Sequence, residues 1–342
     1  MMRKGLRFHL DGGRTIWPVL GLIALLVLNL IFSERFVHLA ILDGRLYGTL
    51  VDVLNQGSKV MLLAVGMTLV IATGGVDLSV GSVMAISGAV GAVLVARREI
   101  PFPALVAGAL SAAVLMGLAN GVLVALAGVQ PIVATLIFMV LGRGVAMLIT
   151  GGQIITFEDR AFVFLANGHF LGLPLTAAIV ALVFAGTALL TRRTAVGLFI
   201  EATGDNETAS RLCGVNTRMV KVLVYGFSGF CAGVAGLIAA SNIKAADSSR
   251  VGEMMELDAI FAVVVGGTAL TGGRFTLVGS IVGALLIQVL TTTMYNLGVP
   301  PAIAPVPKAA LIIVVCLLQS EQFRRHFVRR RQTARPTVPE TG

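Results

Sequence analysis

The residues that could do chemistry are few, and they stand inside long apolar runs. Asp77, followed by Ser79, interrupts one run at the glycine-rich segment Gly74–Gly81, and Arg143 lies within another run. A charge in such surroundings needs a partner or water. Asp77 could accept hydroxyl hydrogens of a polar solute or cap the helix expected to begin near Ser79, and the frequent use of Asp as a cap favours the second role. Arg143 is expected to pair with a carboxylate or to line a hydrated cavity, with pairing favoured.

No arrangement of residues predicts catalysis. The sequence contains neither a G-x-x-x-x-G-K-[ST] phosphate loop nor an H-E-x-x-H motif. Its histidines are isolated, and Cys213, Cys231 and Cys316 lack the spacing of metal ligands. We therefore predict no catalytic residue, no metal site and no cofactor. If ATP drives the activity of this chain, separate subunits must hydrolyse it.

The composition is that of a membrane protein. Hydrophobic residues make up 56% of the chain and charged residues only 13%, about half the usual charged share of a soluble domain. The pattern predicts an all-α, polytopic transmembrane bundle of about ten helices, since a span needs roughly 20 apolar residues. The predicted segments are Ile16–Phe32, Val51–Thr73, Ser82–Ala96, Pro103–Ala127, Ile132–Thr150, Leu171–Thr191, Val222–Ile243, Leu257–Thr271, Thr276–Met294 and Lys308–Ser320.

The basic residues predict the orientation of these segments. They concentrate before the first segment, in the polar block Arg192–Lys221 and after the last segment. Cytoplasmic loops carry such an excess, and anionic lipid headgroups rather than nucleic acid are the expected neighbours. We therefore predict a cytoplasmic segment 1–15, a permease domain 16–320 containing the cytoplasmic block 192–221, and a basic cytoplasmic tail 321–342. Arg97 and Arg98 fall outside on this count, unless the preceding hairpin is re-entrant.

Two glycine-rich interruptions resemble each other. A shift of 192 residues places Gly74 and Gly75 on Gly266 and Gly267. Transporters often contain internal repeats, and their glycine-broken segments point to the translocation site. The glycines at both interruptions, together with Asp77, Ser79 and Arg143, are therefore candidates for the translocation path. Glycine-rich apolar sequence also matches itself easily, and the orientation of the possible repeat stays open.

The block Arg192–Lys221 has apolar residues at roughly helical spacing and glycines at Gly204 and Gly214. This pattern predicts two short helices with turns, lying at the membrane surface where an apolar face can dock onto a partner. The alternative is a solvated loop with frayed helical turns.

Three stretches carry a resemblance to a known family, and it extends from about Leu50 to Ser320. The central block resembles the cytoplasmic coupling loop of sugar-importing ABC permeases of the ribose/arabinose/xylose family. The residues that carry this likeness are Glu201, Ala202, Gly204, Asn206, Ala209, Gly214 and Asn216. TLVIATGGVDLSVGS at Thr68–Ser82 resembles the signature of that family, and ELDAIFAVVVGGTALTGGRF at Glu256–Phe275 is similar to it as well.

Within that family, DGRL at Asp43–Leu46 and the stretch Thr135–Phe157 are most similar to galactofuranose-importer permeases. The resemblance implies import of a monosaccharide through a bacterial inner membrane. It implies three partners: an ABC ATPase, a periplasmic sugar-binding protein and a second permease, either identical or related. Ribose, xylose and autoinducer-2 are alternative substrates. An ion-coupled secondary transporter and a non-transporting membrane anchor are alternative classes.

Overall fold

The computed structural model describes residues 16–32, 36, 40–42, 45–98, 100–300 and 302–319. This part of the chain is mostly helical, as the sequence predicts. The helices are α1 (Ile16–Phe32), α2 (Thr49–Ala72), α3 (Val80–Arg98), α4 (Phe102–Ala125), α5 (Pro131–Thr150), α6 (Arg160–Asn167), α7 (Leu175–Arg193), α8 (Ala195–Asp205), α9 (Glu207–Leu212), α10 (Thr217–Ile243), α11 (Met255–Val265), α12 (Leu277–Asn296) and α13 (Pro305–Gln319). The predicted segment 1–15 and tail 321–342 lie outside the described residues.

Short strands, which the all-α prediction did not include, form three antiparallel pairs in the described part of the chain. The pairs are β1 (Ala40–Leu42) with β2 (Arg45–Tyr47), β3 (Ile155–Thr156) with β6 (Ala245–Ala246), and β4 (His169–Phe170) with β5 (Leu173–Pro174). The amide of Leu46 donates to the Gly172 carbonyl at 3.0 Å, so two of these pairs touch.

Each of the ten predicted segments coincides with a helix, but not all of these helices are long enough to span a bilayer. Seven are both apolar and long enough: α2, α3, α4, α5, α7, α10 and α12. The other three, α1, α11 and α13, have 17, 11 and 15 residues. The chain is therefore a multi-pass membrane protein, and the count of about ten spans stays a prediction.

Three predicted boundaries are wrong by several residues, and one of them is the start of α10, which lies at Thr217 instead of Val222. The segment expected to start at Leu171 starts at Leu175, because Leu171 lies in the turn between β4 and β5 with φ 51°. The segment expected to reach Thr271 ends at Val265, because the glycine pair that follows breaks the helix. Apolar composition alone does not mark either of these last two points, since the run continues past both.

Helices α2, α3 and α10 form the centre of the bundle. In their most apolar windows 78%, 67% and 67% of the residues are buried, against 22% in α4, α5 and α7. Helix α10 packs against α2, α3 and α4. Because fewer residues of α4, α5 and α7 are fully buried, these helices form the outer layer that can face lipid or another membrane subunit.

The bundle has two distinct ends. Helices α8 and α9 lie at one end, where α7 finishes and α10 begins; we call this the helical end. The three strand pairs lie where α5 and α10 finish and where α2 and α7 begin; we call this the strand end. The predicted coupling block and the strands therefore lie on opposite sides of the layer formed by the long helices.

Candidate functional site

The polar block 192–221 folds as two short helices, as predicted, and its own residues define their ends. The Thr194 hydroxyl accepts from the Val196 amide at the start of α8. Asn206 accepts from Ala209 N at 2.9 Å and so caps α9, while Asn216 accepts from Met219 N at 3.1 Å and caps α10. Gly214 takes a left-handed φ of 86° in the turn between α9 and α10. Asn206, Asn216 and Gly214 therefore have local structural reasons for their positions.

A polar network ties α9 to the first turns of α10. The Glu207 carboxylate accepts from Lys221 Nζ at 2.6 Å and from Thr217 Oγ1 at 3.2 Å, and it also pairs with Arg211. Burial alone would raise the pKa of Glu207, but the hydrogen bonds from Lys221 and Arg211 hold that pKa below its usual value. The carboxylate is therefore ionised at neutral pH, and it links α9 directly to the first turns of α10.

Gly204 lies inside α8 rather than in a turn, and its backbone touches both glycine-rich interruptions. A Cβ added at Gly204 would overlap the Ala72 carbonyl oxygen and lie 2.6 Å from Gly273 N. The two interruptions are themselves joined, since Gly273 N donates to Ala72 O at 3.0 Å. The turn predicted at Gly204 is therefore wrong, and the glycine is needed instead for a close backbone contact that a side chain would block. The surface helix α8 thus contacts the end of α2 and the loop between α11 and α12, which are distant in sequence.

Close packing and unusual backbone account for the glycines that the sequence singles out at the interruptions. Gly74 and Gly267 have φ of 77° and 93°, a region that residues with side chains rarely adopt. A Cβ on Gly75 would lie 2.6 Å from the Tyr225 hydroxyl oxygen, and Gly266 packs directly on the backbone of Gly279. Gly75 and Gly266 are therefore buried in the junction, whereas Gly74 is exposed and Gly267 is half-buried, and these two are needed for their backbone conformation.

The correspondence between the two interruptions is only partial in structure. Helices α2 and α11 end within one residue of matching positions, at Ala72 and Val265. The following helices do not start at matching positions, since α3 starts at Val80 and α12 at Leu277. The interruption before α12 is therefore longer, and the internal repeat stays a prediction.

Asp77 is buried at the first interruption, with 1% of its surface exposed. Its Oδ1 accepts from the amide and the hydroxyl of Ser79 at 3.0 and 2.6 Å, and its Oδ2 accepts from the Ser228 hydroxyl at 2.8 Å. The Ser79 hydroxyl in turn accepts from Asn120 Nδ2 at 2.6 Å. Asp77 therefore fixes the entry to α3 and links it to α4 and α10, although it bonds to no amide inside the first turn of α3.

Arg143 is half-buried and holds a loop. Its guanidinium donates to the carbonyls of Ser248 and Val251 at 3.1 and 2.6 Å. Among the described residues no carboxylate lies within ion-pair distance of Arg143, although its charge acts on Glu256. Its partners are thus mainly backbone carbonyls, which satisfy the buried charge without the carboxylate that the sequence favoured.

Three residues around Asp77 belong to no motif that the sequence reveals. Asn120, Tyr225 and Ser228 surround the Asp77 loop, and the Tyr225 hydroxyl donates to the Val76 carbonyl at 3.2 Å. The available signal was a polar residue inside an apolar run.

Leu212, the last residue of α9, is 86% exposed at the helical end. An exposed leucine on a surface helix is a typical contact for a partner protein.

The family model described as "Branched-chain amino acid transport system / permease component" matches residues 49–316. The chain therefore belongs to this family of transport-system permeases. It is a transport subunit, and the resemblance seen in the sequence is confirmed.

Three relatives align along nearly their whole length. The galactofuranose transporter permease of Escherichia coli (strain K12) is 47% identical over 90% of this chain and 91% of its own. The fructose import permease of Bifidobacterium longum (strain NCC 2705) is 38% identical over 89% and 87%. The ribose import permease of Escherichia coli (strain K12) is 38% identical over 88% and 93%.

Proposed function

We propose that this chain is the permease subunit of an ABC importer that carries a monosaccharide, galactofuranose or a similar sugar, across the bacterial inner membrane. The observation that carries the proposal is the 47% identity to a galactofuranose transporter permease over nine-tenths of both chains. The fructose and ribose relatives, at 38%, support the same substrate class. Ribose, xylose and autoinducer-2 remain alternative substrates.

In this proposal α8 and α9 are the docking element for an ABC ATPase in the cytoplasm. Gly204 supports the assignment because its backbone contact reaches the ends of α2 and of the segment before α12. Glu201 and Ala202 lie in the same helix, and Ala209 is held by the Asn206 cap. A rigid surface helix in direct contact with two membrane helices can transmit a shift of the ATPase without a flexible intermediate.

The orientation follows from the same assignment. The helical end and both chain termini face the cytoplasm, so the strand end faces the periplasm, where it meets a sugar-binding protein. A second permease, identical or related, packs on the exposed apolar surface of the outer helices. Asp77 and Ser79 are buried in this conformation. They and Arg143 can contribute to a translocation path only if the glycine junctions separate during transport.

The test is uptake by the reconstituted system. The chain is expressed with the ATPase and the secreted binding protein encoded beside it, and uptake of labelled galactofuranose, fructose, ribose and xylose is measured. We expect uptake of galactofuranose or a similar sugar that needs both partners and stops when the phosphate-loop lysine of the ATPase is replaced. Uptake that persists with the inactive ATPase and collapses with the proton or sodium gradient would instead establish a secondary transporter.

A further inference from the structure

A cavity of about 740 Å³, lined by both polar and apolar side chains, lies at the strand end between α2, α12, the loop before α11 and the start of α13. Its volume falls within the ~300–1,000 Å³ that is usual for small-molecule sites. None of the path residues predicted from the sequence lines it.

Two helices present polar rows to this cavity. Asp52, Gln56 and Lys59 stand on one face of α2, and Gln288, Thr292 and Tyr295 stand on one face of α12. Both sets follow helical spacing, so each forms a continuous stripe. From Asp52 to Lys59 the stripe descends about 10 Å along α2. Polar stripes in membrane helices face water or a polar solute, because lipid offers them no hydrogen bonds.

The charges around the cavity balance. Three acidic side chains line it and three basic ones, and the pair nearest α13 is direct, with Lys308 Nζ 2.8 Å from Asp258 Oδ2. The lining also holds side-chain amides and hydroxyls. Gln56 Oε1 accepts from Lys59 Nζ at 2.6 Å, and Gln288 Nε2 donates to Thr292 Oγ1 at 3.3 Å. A site with no net charge but many donors and acceptors suits an uncharged polyhydroxylated molecule better than an ion.

The two helices that line the cavity extend towards α8 at the helical end. Helix α2 runs from Asp52 to Ala72, whose carbonyl contacts Gly204, and α12 begins four residues after Gly273, which also contacts Gly204. Between the cavity and the helical end, α2 and α12 are joined by a hydrogen bond, in which Thr68 Oγ1 donates to Ser280 Oγ at 2.7 Å. The cavity is thus closed towards the helical end by the contact between α2 and α12.

From these observations we propose that this cavity binds an uncharged monosaccharide on its entry side. This inference rests on the proposed function and adds the location of a sugar site within the permease. Tyr295, half exposed in the cavity wall, supplies the flat ring against which a sugar face can pack. The site is expected to be weak, because a transport site must also release its ligand.

The experiment uses the complete transporter in right-side-out membrane vesicles. Thr292→Cys is treated with a membrane-impermeant, cationic methanethiosulfonate reagent, and the unsubstituted chain provides the background from the native cysteines. Leu182→Cys is the matched control, because Leu182 is 74% exposed on the outer helix α7, away from the cavity, where it is expected to face lipid or the second permease instead of water. Tyr295→Cys gives a second reading in the same cavity if Thr292→Cys does not accumulate.

We expect the Thr292 thiol to react at least about tenfold faster than the Leu182 thiol, since the reactive thiolate needs water. D-galactose, D-fructose and D-ribose are each added at about 100 mM, a concentration near the dissociation constant of a weak site. At least one of them should halve the rate, whereas glycine at equal osmolality and anionic D-galacturonate should protect less. Complete modification should block sugar uptake.

Equal reaction rates for Thr292→Cys and Leu182→Cys would overturn the inference. Protection by D-galacturonate as strong as that by the neutral sugars would do so as well, and so would normal uptake after complete modification. A failure of the proposed function can be distinguished from these outcomes. In that case the unsubstituted chain, expressed with its partners, would take up no sugar.

Discussion

Replacing Gly204 with alanine tests whether the contact between α8 and the two glycine junctions transmits force. The added Cβ would overlap the Ala72 carbonyl oxygen and approach Gly273 N to 2.6 Å. Both neighbours are backbone atoms, so no side-chain rotation relieves the overlap. Overpacking costs about 1–3 kcal/mol, and loss of the Gly273–Ala72 hydrogen bond adds about 0.5–1.5 kcal/mol.

A total near 2–4 kcal/mol reduces the population of the docked arrangement about 30-fold or more. The helix itself should form, because alanine is a better helix residue than glycine by about 1 kcal/mol. We therefore expect Gly204→Ala to insert into the membrane at a normal level and to lose most sugar uptake. Its ATPase should either dissociate or hydrolyse ATP without transport, and Gly204→Val should show a larger loss.

The assay measures uptake, ATPase co-purification and ATP hydrolysis at matched amounts of chain. Gly186→Ala in α7 is the control, because a Cβ there meets nothing within 4 Å. Wild-type uptake together with wild-type ATPase association in Gly204→Ala would refute the coupling assignment. A similar loss of uptake in Gly186→Ala would refute the steric reasoning.

Four further predictions follow from single contacts. Leu212→Asp should weaken ATPase co-purification without lowering thermal stability, because the leucine is 86% exposed; an unchanged association would remove Leu212 from the docking surface. Asp77→Asn should keep fold and uptake, whereas Asp77→Ala should lower thermal stability, because each donor of Ser79 and Ser228 left unpaired costs about 1–3 kcal/mol. Loss of uptake in Asp77→Asn at normal expression would show that the charge itself is needed. Asp258→Lys and Lys308→Asp should each lower thermal stability, and the double exchange should restore it, with an interaction energy of about 0.5–3 kcal/mol in a double-mutant cycle. If the stability losses of the two single variants simply add in the double variant, the ion pair contributes nothing. A reporter inserted after Leu212 should read as cytoplasmic and one after Leu171 as periplasmic; the same signal at both sites would contradict the proposed orientation.

Much of the architecture was predictable because hydrophobicity and chain length constrain membrane helices strongly. A segment without enough apolar residues cannot span the bilayer, and a span must satisfy its backbone internally. Helix α5 illustrates this: Pro131 opens it, Gly151 with φ 68° ends it, and both ends were predicted within one residue. The strands at the opposite end were not predictable, since two-residue pairs such as Ile155–Thr156 with Ala245–Ala246 depend on partners far away in sequence.

The sequence by itself determined the family, the helical class and the two short helices of the block 192–221, because these depend on local composition and on motif spacing. Tertiary structure alone decided what those residues touch. It placed Gly204 on the backbone of the end of α2 and of the loop before α12, gave Arg143 carbonyl partners in place of a carboxylate, and brought the polar rows of α2 and α12 around one cavity. The physical reason is that burial, packing and charge balance depend on which helix faces meet, and the local pattern of residues does not specify that pairing.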